Sequence, residues 1–155
     1  MTRQTQHANC VVIGTLGVLI LGPSGAGKSA LSEHMIGLAG SKGHFAALVA
    51  DDRVELTARS GSLIARVPDQ LAGLLELRGF GIVETAFEPA SMVHIVMKLA
   101  AIDRIERLPE DCIGAIELEG TNLPLVTVAQ GRPDDAVCRL RWALKRLFPN
   151  VPVYI

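Results

Sequence analysis

The sequence predicts a mixed α/β domain built around a phosphate-binding loop, on three observations. Gly22-Pro23-Ser24-Gly25-Ala26-Gly27-Lys28-Ser29 reads G-x-x-x-x-G-K-S, the P-loop pattern. It lies between an apolar run, Gly17 to Leu21, and a helix-forming run, Ala30 to Ile36, which is the strand–loop–helix setting such a loop requires. Elsewhere the chain is mostly short strand-like runs, with one further helical pattern near its C-terminal end. The expected sheet is therefore mixed and strand-rich, without regular βαβ alternation.

Taken in order, residues 1 to 9 are polar and expected to be frayed, so His7 taken alone is a tail residue. Cys10 to Ile13 is a β-branched strand, Gly14-Thr15 a turn, and 17 to 21 its hairpin partner. The helix after Lys28 is expected to reach about Leu38, where Ala39-Gly40-Ser41-Lys42-Gly43 stops it. Phe45 to Ala50 is continuously apolar, as in a buried central strand, and closes on Asp51-Asp52. Val54 to Ala58 and Leu63 to Ala65 flank a turn and predict a hairpin, followed by a short helical turn that Asp69 can cap. Leu74 to Val83 sets Glu76 and Arg78 among apolar residues and adds Gly79 and Gly81 at alternate positions. A plain reading of that pair is a salt bridge on an edge strand. Met92 to Leu99 predicts one strand, 100 to 114 a charged loop, and Leu123 to Val128 a late strand. Asp134 or Asp135 starts the last helix, with Val137, Leu140, Leu144 and Leu147 at helical spacing and Pro149 and Pro152 beyond its end.

The 155 residues suit one domain spanning 1–155. The net charge of −1, without a long basic run, points away from nucleic acid and from anionic membrane surfaces. A single Trp and a single Tyr leave little for stacking on bases. No run reaches the ~20 apolar residues of a membrane span. The first ten residues lack a signal-peptide core, so a cytoplasmic protein is expected. Cys10, Cys112 and Cys138 are widely spaced and are read as free, buried thiols. His34, His44 and His94 have no metal-ligand spacing.

The chemistry follows from the loop. Backbone N–H groups of Gly22 to Ser29 and the following helix N-terminus hold phosphates, Lys28 supplies a charge between the outer ones, and the Ser29 hydroxyl is the expected Mg²⁺ ligand. An apolar strand ending on an acid downstream of a P-loop marks a carboxylate that directs a metal or a nucleophile. On a strand, adjacent Asp51 and Asp52 would point to opposite faces, so one of them is expected at the nucleotide. Either can serve as the base. A solvated turn pair is the plain alternative.

Together these residues resemble the catalytic domain of HPr kinase/phosphorylase. The segments that carry the resemblance are His7 followed by Gly22 to Ser29, Leu48-Val49-Ala50-Asp51-Asp52-Arg53-Val54, and above all Leu74-Leu75-Glu76-Leu77-Arg78-Gly79-Phe80-Gly81-Ile82. The resemblance runs from His7 to about Arg107 and looks like a short form without the family's N-terminal domain. It implies a P-loop fold similar to that of phosphoenolpyruvate carboxykinase, ATP and Mg²⁺ as cofactors, and a homo-oligomer, usually a hexamer. It also implies a serine of an HPr-like phosphocarrier as substrate, with a phosphorylase direction as a further option. In that scheme Asp52, with Asp51 beside it, exchanges the serine proton. His7 lies near the transferred phosphoryl group, Glu76 joins Ser29 on Mg²⁺, and Arg107, or else Arg104, contacts the phosphoryl group. Two departures stand out. Ala30 replaces the Glu common after the P-loop serine, and Val126 to Arg132 only loosely echoes the family's dephosphorylation loop. The competing functions are a P-loop kinase of a small metabolite and a nucleotide-binding regulatory module without catalysis. A GTPase is disfavoured because no N-K-x-D motif is present.

Overall fold

The computed structural model describes residues 5–155. The expected frayed segment falls partly on residues 1–4, which lie outside the described residues. From Thr5 onward the chain is already a strand, which corrects the reading of His7 as a tail residue. β1 (Thr5–Ile13) begins with exposed Thr5, Gln6 and His7. These pair with Glu55, Val54 and Arg53 across an antiparallel ladder. Backbone pairing, not burial, orders them, so no hydrophobic pattern announces it.

β1 forms the expected hairpin with β2 (Leu16–Leu21), and its other side pairs with β3 (Ala46–Ala50) through a bulge at Cys10/Val11. The helix after the P-loop, α1, spans Lys28–Ser41, a few residues past Leu38 and ending within the expected Ala39–Gly43 stop. Gly43, at φ +79°, turns the chain, with His44 N–H donating back to the Ala39 carbonyl. β4 (Arg53–Arg59) and β5 (Ser62–Arg66) form the predicted hairpin, and a 3-10 turn covers Asp69–Leu71. β6 (Leu74–Leu77) and β7 (Gly81–Glu84) form a separate two-stranded hairpin. Among the described residues no ion pair joins Glu76 to Arg78, which corrects the salt-bridged edge strand.

The single strand expected over 92 to 99 is two, β8 (Ala90–Val93) and β9 (Ile95–Ala100), which pair with different strands, β8 with β5 and β9 with β2. His94 marks the break. Its N–H donates to the Gly17 carbonyl, and its Nδ1 accepts from Gly17 N–H at 2.9 Å. The chain therefore crosses from one part of the sheet to another where an apolar run gives no warning. β10 (Gly114–Leu118), which is mostly exposed and has no sequence signal, pairs with β11 (Thr121–Ala129). α2 (Pro133–Leu147) has Pro133 in its first turn and two aspartates close behind.

Apart from the β6–β7 hairpin, the strands form one continuous nine-stranded sheet in two parts, β10-β11-β9-β2-β1-β3 and β4-β5-β8, joined where the start of β1 pairs with β4. Alternation along the strands separates two cores. Val11, Ile13, Val18 and Ile20 pack under α1 and α2 with Leu31, Met35 and Leu140. Ala8, Cys10, Val12 and Leu19 form the other core with Val54, Leu63 and Val93 of β4, β5 and β8. β3 is an edge partner of β1 rather than a central strand, with its free side covered by backbone bonds between Leu48 and residues 86 and 88. Of the three thiols, only Cys10 is buried as expected, and burial pushes it up to about 12. Cys112 and Cys138 are exposed. No helix among the described residues is long and apolar enough to cross a membrane.

Two stability predictions arise here. A Cβ on Gly17 would lie 1.9 Å from the Met92 carbonyl oxygen. Gly17→Ala should therefore cost about 3 kcal/mol or more, read as a lower urea midpoint. Burial also pushes the His94 imidazole below its ordinary value. The unfolded chain then takes up the proton first, so stability should be highest above pH ~6.5 and fall as pH drops below it. His94→Gln should flatten that part of the pH profile of chemical unfolding.

Candidate functional site

β2, β3, β9 and β11 run in one direction, because β3 and β2 are both antiparallel to β1 and the other pairs are parallel. Their carboxyl ends and the amino end of β1 therefore share one edge of the sheet, the position at which open α/β sheets bind ligands. His7, the P-loop, Asp51-Asp52 and the loops after Ala100 and Ala129 all arise there.

The P-loop bends through Gly25 at φ +79° and Gly27 at φ +97°. α1 starts directly after it with no side-chain cap and no acid in its first turn, leaving its amino-terminal N–H groups free to meet an anion. Lys28 is buried, and its Nζ donates to the carbonyls of Gly22 (2.9 Å) and Pro23 (3.1 Å). Burial pushes its ammonium below the usual lysine value, and the carboxylates of Asp52 and Asp51 pull it back up.

The acidic pair is arranged differently from the expected opposition across a strand. Both residues lie just past the end of β3, and Asp52 adopts φ 66°, in the left-handed region. Asp51 Oδ1 accepts from Ser29 Oγ at 2.5 Å and from Asn9 Nδ2 at 2.7 Å, while its Oδ2 accepts from Glu76 N–H at 3.0 Å. Asp52 is exposed, and its Oδ1 accepts from His7 Nε2 at 2.5 Å. One carboxylate is thus tied into the scaffold, and its neighbour stands open, hydrogen-bonded to His7 and close enough to Lys28 to act on its charge.

Asn9, which sequence reasoning passed over, joins these parts. It is fully buried, and its Nδ2 also donates to Ser32 Oγ at 3.1 Å while its Oδ1 accepts from Asp52 N–H at 3.0 Å. The available signal was a lone amide on the helix-facing side of a strand otherwise built of Val and Ile. Asp51 in turn anchors the β6–β7 hairpin through Glu76 N–H, which brings the Glu76 backbone to the site although its side chain is exposed. Gly131, in the loop after β11, approaches Gly27. Arg104 and Arg107 do not join this group. They line a cavity of about 660 Å³ with Thr127, Trp142 and Arg146, and no P-loop residue contributes to its lining.

Among the described residues no cluster of three or more His, Cys, Asp or Glu is arranged to hold a metal ion. Ser29 Oγ and the Asp51 carboxylate nevertheless form a hard-oxygen donor pair beside the phosphate cradle. That suits Mg²⁺, which takes one or two protein oxygens and fills its remaining positions with phosphate and water.

The family of the HPr Serine kinase C-terminal domain matches residues 1–132. The chain belongs to that family. It is 40% identical over 117 residues to the HPr kinase/phosphorylase of Bordetella pertussis, covering 68% of this chain and 36% of that protein. It is 36% identical over 144 residues to the HPr kinase/phosphorylase of Cupriavidus necator, covering 84% and 42%. The chain therefore spans well under half the length of these relatives. The solved Hpr(Ser) kinase/phosphatase structure from Coxiella burnetii superposes with a TM-score of 0.77 at 27% identity, covering 96% of this chain and 99% of that one. The family match takes in every strand from β1 to β11 and the loop with Gly131, whereas α2 lies outside it.

Proposed function

We propose that this domain transfers the γ-phosphoryl group of ATP to a serine of an HPr-like phosphocarrier. Membership of the HPr kinase family supports the substrate class. The observation that carries the reaction type is the open Asp52 carboxylate, held by His7 beside the P-loop while Asp51 is engaged with Ser29. In this reading Asp52 accepts the serine proton. The serine oxygen then bonds to the γ-phosphorus, and the bond to the bridging oxygen breaks to release ADP. His7 orients Asp52 through the Nε2 contact, and Lys28 with the loop N–H groups holds the phosphates. Mg²⁺ held by Ser29, Asp51 and Glu76 would supply charge neutralisation on the phosphates. Arg107, or Arg104, remains the family-implied contact to the phosphoryl group and would have to reach it from the loop after β9. In the phosphorylase direction inorganic phosphate takes the place of ADP as the nucleophile: its oxygen bonds to the phosphorus of phosphoserine, the serine oxygen–phosphorus bond breaks to release pyrophosphate, and Asp52 returns the proton to the serine oxygen. A cytoplasmic homo-oligomer, with residues 1–155 forming a single catalytic domain, belongs to the same reading.

The test is incubation with Mg-ATP and a panel of purified HPr-like carriers. Phosphoserine on a carrier is the expected result. Turnover of a small acceptor with no carrier labelled would replace this reading by a metabolite kinase.

A further inference from the structure

A second cation stands at the phosphate loop. A Cβ built on Gly25 would lie 3.5 Å from Arg78 Nη1 and 3.9 Å from Nη2, so the guanidinium covers the middle of the P-loop. Lys28 meets the same loop at a different point, the carbonyls of Gly22 and Pro23. Among the described residues no ion pair engages Arg78, so no carboxylate neutralises it. Two cations and a helix amino terminus thus meet one glycine-rich loop; Lys28 already feels the Asp52 and Asp51 carboxylates, whereas Arg78 has no ion-pair partner among the described residues, and an anion seated on the loop would supply one.

The hairpin that carries Arg78 is held in place from three sides. Leu75 is buried in the helix-side core with Ala26 and Leu31. Glu76 N–H is bound to Asp51. The tip is closed by Phe80 N–H donating to the Leu77 carbonyl, with Gly79 at φ +80° and Gly81 at φ +129°. Arg78 is the first residue of that tip, and its position is set by the same Asp51 that holds Ser29.

We propose that Arg78 contacts the outer phosphates of the bound nucleotide and stabilises the charge that develops during transfer, as an arginine finger supplied in cis by the β6–β7 hairpin. Its planar fork can engage two phosphate oxygens at once, which a lysine at this position cannot. Because the hairpin is tied to Asp51, this contact and the Ser29 donor pair are positioned together. The proposal rests on the phosphotransfer reading above and deepens it.

Single-turnover transfer from ATP to an HPr-like carrier, with ADP affinity measured alongside, tests it on the parent, Arg78→Ala and Arg78→Lys. Arg78→Ala is expected to slow transfer about 100-fold or more with ADP affinity changed less than about threefold, and Arg78→Lys to recover only part of the rate. A rate within about threefold of the parent overturns the proposal. So does a parallel loss of rate, ADP affinity and melting temperature, which would make Arg78 a structural prop. Should the parent label no carrier, the carrier reading fails by itself, and Arg78 is then judged by binding alone. Arg78→Ala should weaken ATP about tenfold more than ADP, and an equal effect on both nucleotides overturns the inference.

Discussion

Asp52→Asn is expected to lower the rate of phosphoryl transfer about 1000-fold while leaving nucleotide affinity within about threefold, the range over which a positioned general base contributes. The substitution isolates chemistry from folding for a specific reason. Asp52 sits at φ 66°, a conformation that Asn adopts readily and most other residues do not. The amide can still bond to His7, and the Asp52 backbone N–H keeps its bond to Asn9. What disappears is the capacity to take a proton. Asp51→Asn is a different experiment. Asp51 has Ser29, Asn9 and the Glu76 backbone N–H on its two oxygens, so an amide there must present a donor to one of three donors. That variant should lose stability by about 1 to 3 kcal/mol and lose nucleotide and metal affinity together. Measuring kcat, ATP affinity and the unfolding midpoint for both variants separates the open carboxylate from the tied one.

Lys28→Ala carries the second large effect. ATP affinity should fall about 100-fold or more, the ~2.7 kcal/mol expected for losing a charge-assisted phosphate contact. The fold should persist. The change removes a partly desolvated ammonium and leaves two loop carbonyls, on the exposed Pro23 and the part-exposed Gly22, accessible to water. Circular dichroism and calorimetric titration with ATP check both halves. Undiminished affinity would contradict the assignment of the loop as the phosphate cradle.

The parts of this molecule that were legible in the sequence are those whose pattern arises locally. The P-loop, the hairpin leading into it, the acid after an apolar strand and the amphipathic α2 each follow from spacing within a dozen residues. The parts that were not legible depend on pairing at a distance. His7 belongs to a strand because Arg53 to Glu55 offer it a backbone ladder, not because its neighbours are apolar. His94 breaks an apolar run because Gly17 meets it from another strand. β10 is mostly exposed and is recruited by β11 through backbone bonds. At the site, the sequence singled out the P-loop and both aspartates and the fold brings them together, but the difference between a tied Asp51 and an open Asp52 was hidden. It comes from a left-handed turn at Asp52 and from a buried Asn9 whose four partners arrive from α1 and the end of β3. The resemblance signature around Glu76 was visible as a string. That it is a hairpin tip laying Arg78 across Gly25 required the fold.

The central claim is that one edge of this sheet holds ATP on the P-loop and delivers its γ-phosphoryl to a protein serine through Asp52. The most direct measurement is a single-turnover experiment with γ-labelled ATP and a purified HPr-like carrier, followed by identification of the labelled residue, with the parent and Asp52→Asn side by side. The account predicts label on a carrier serine with the parent and about 1000-fold slower labelling with Asp52→Asn. Equal labelling by the two proteins, or label released only as inorganic phosphate, would contradict it.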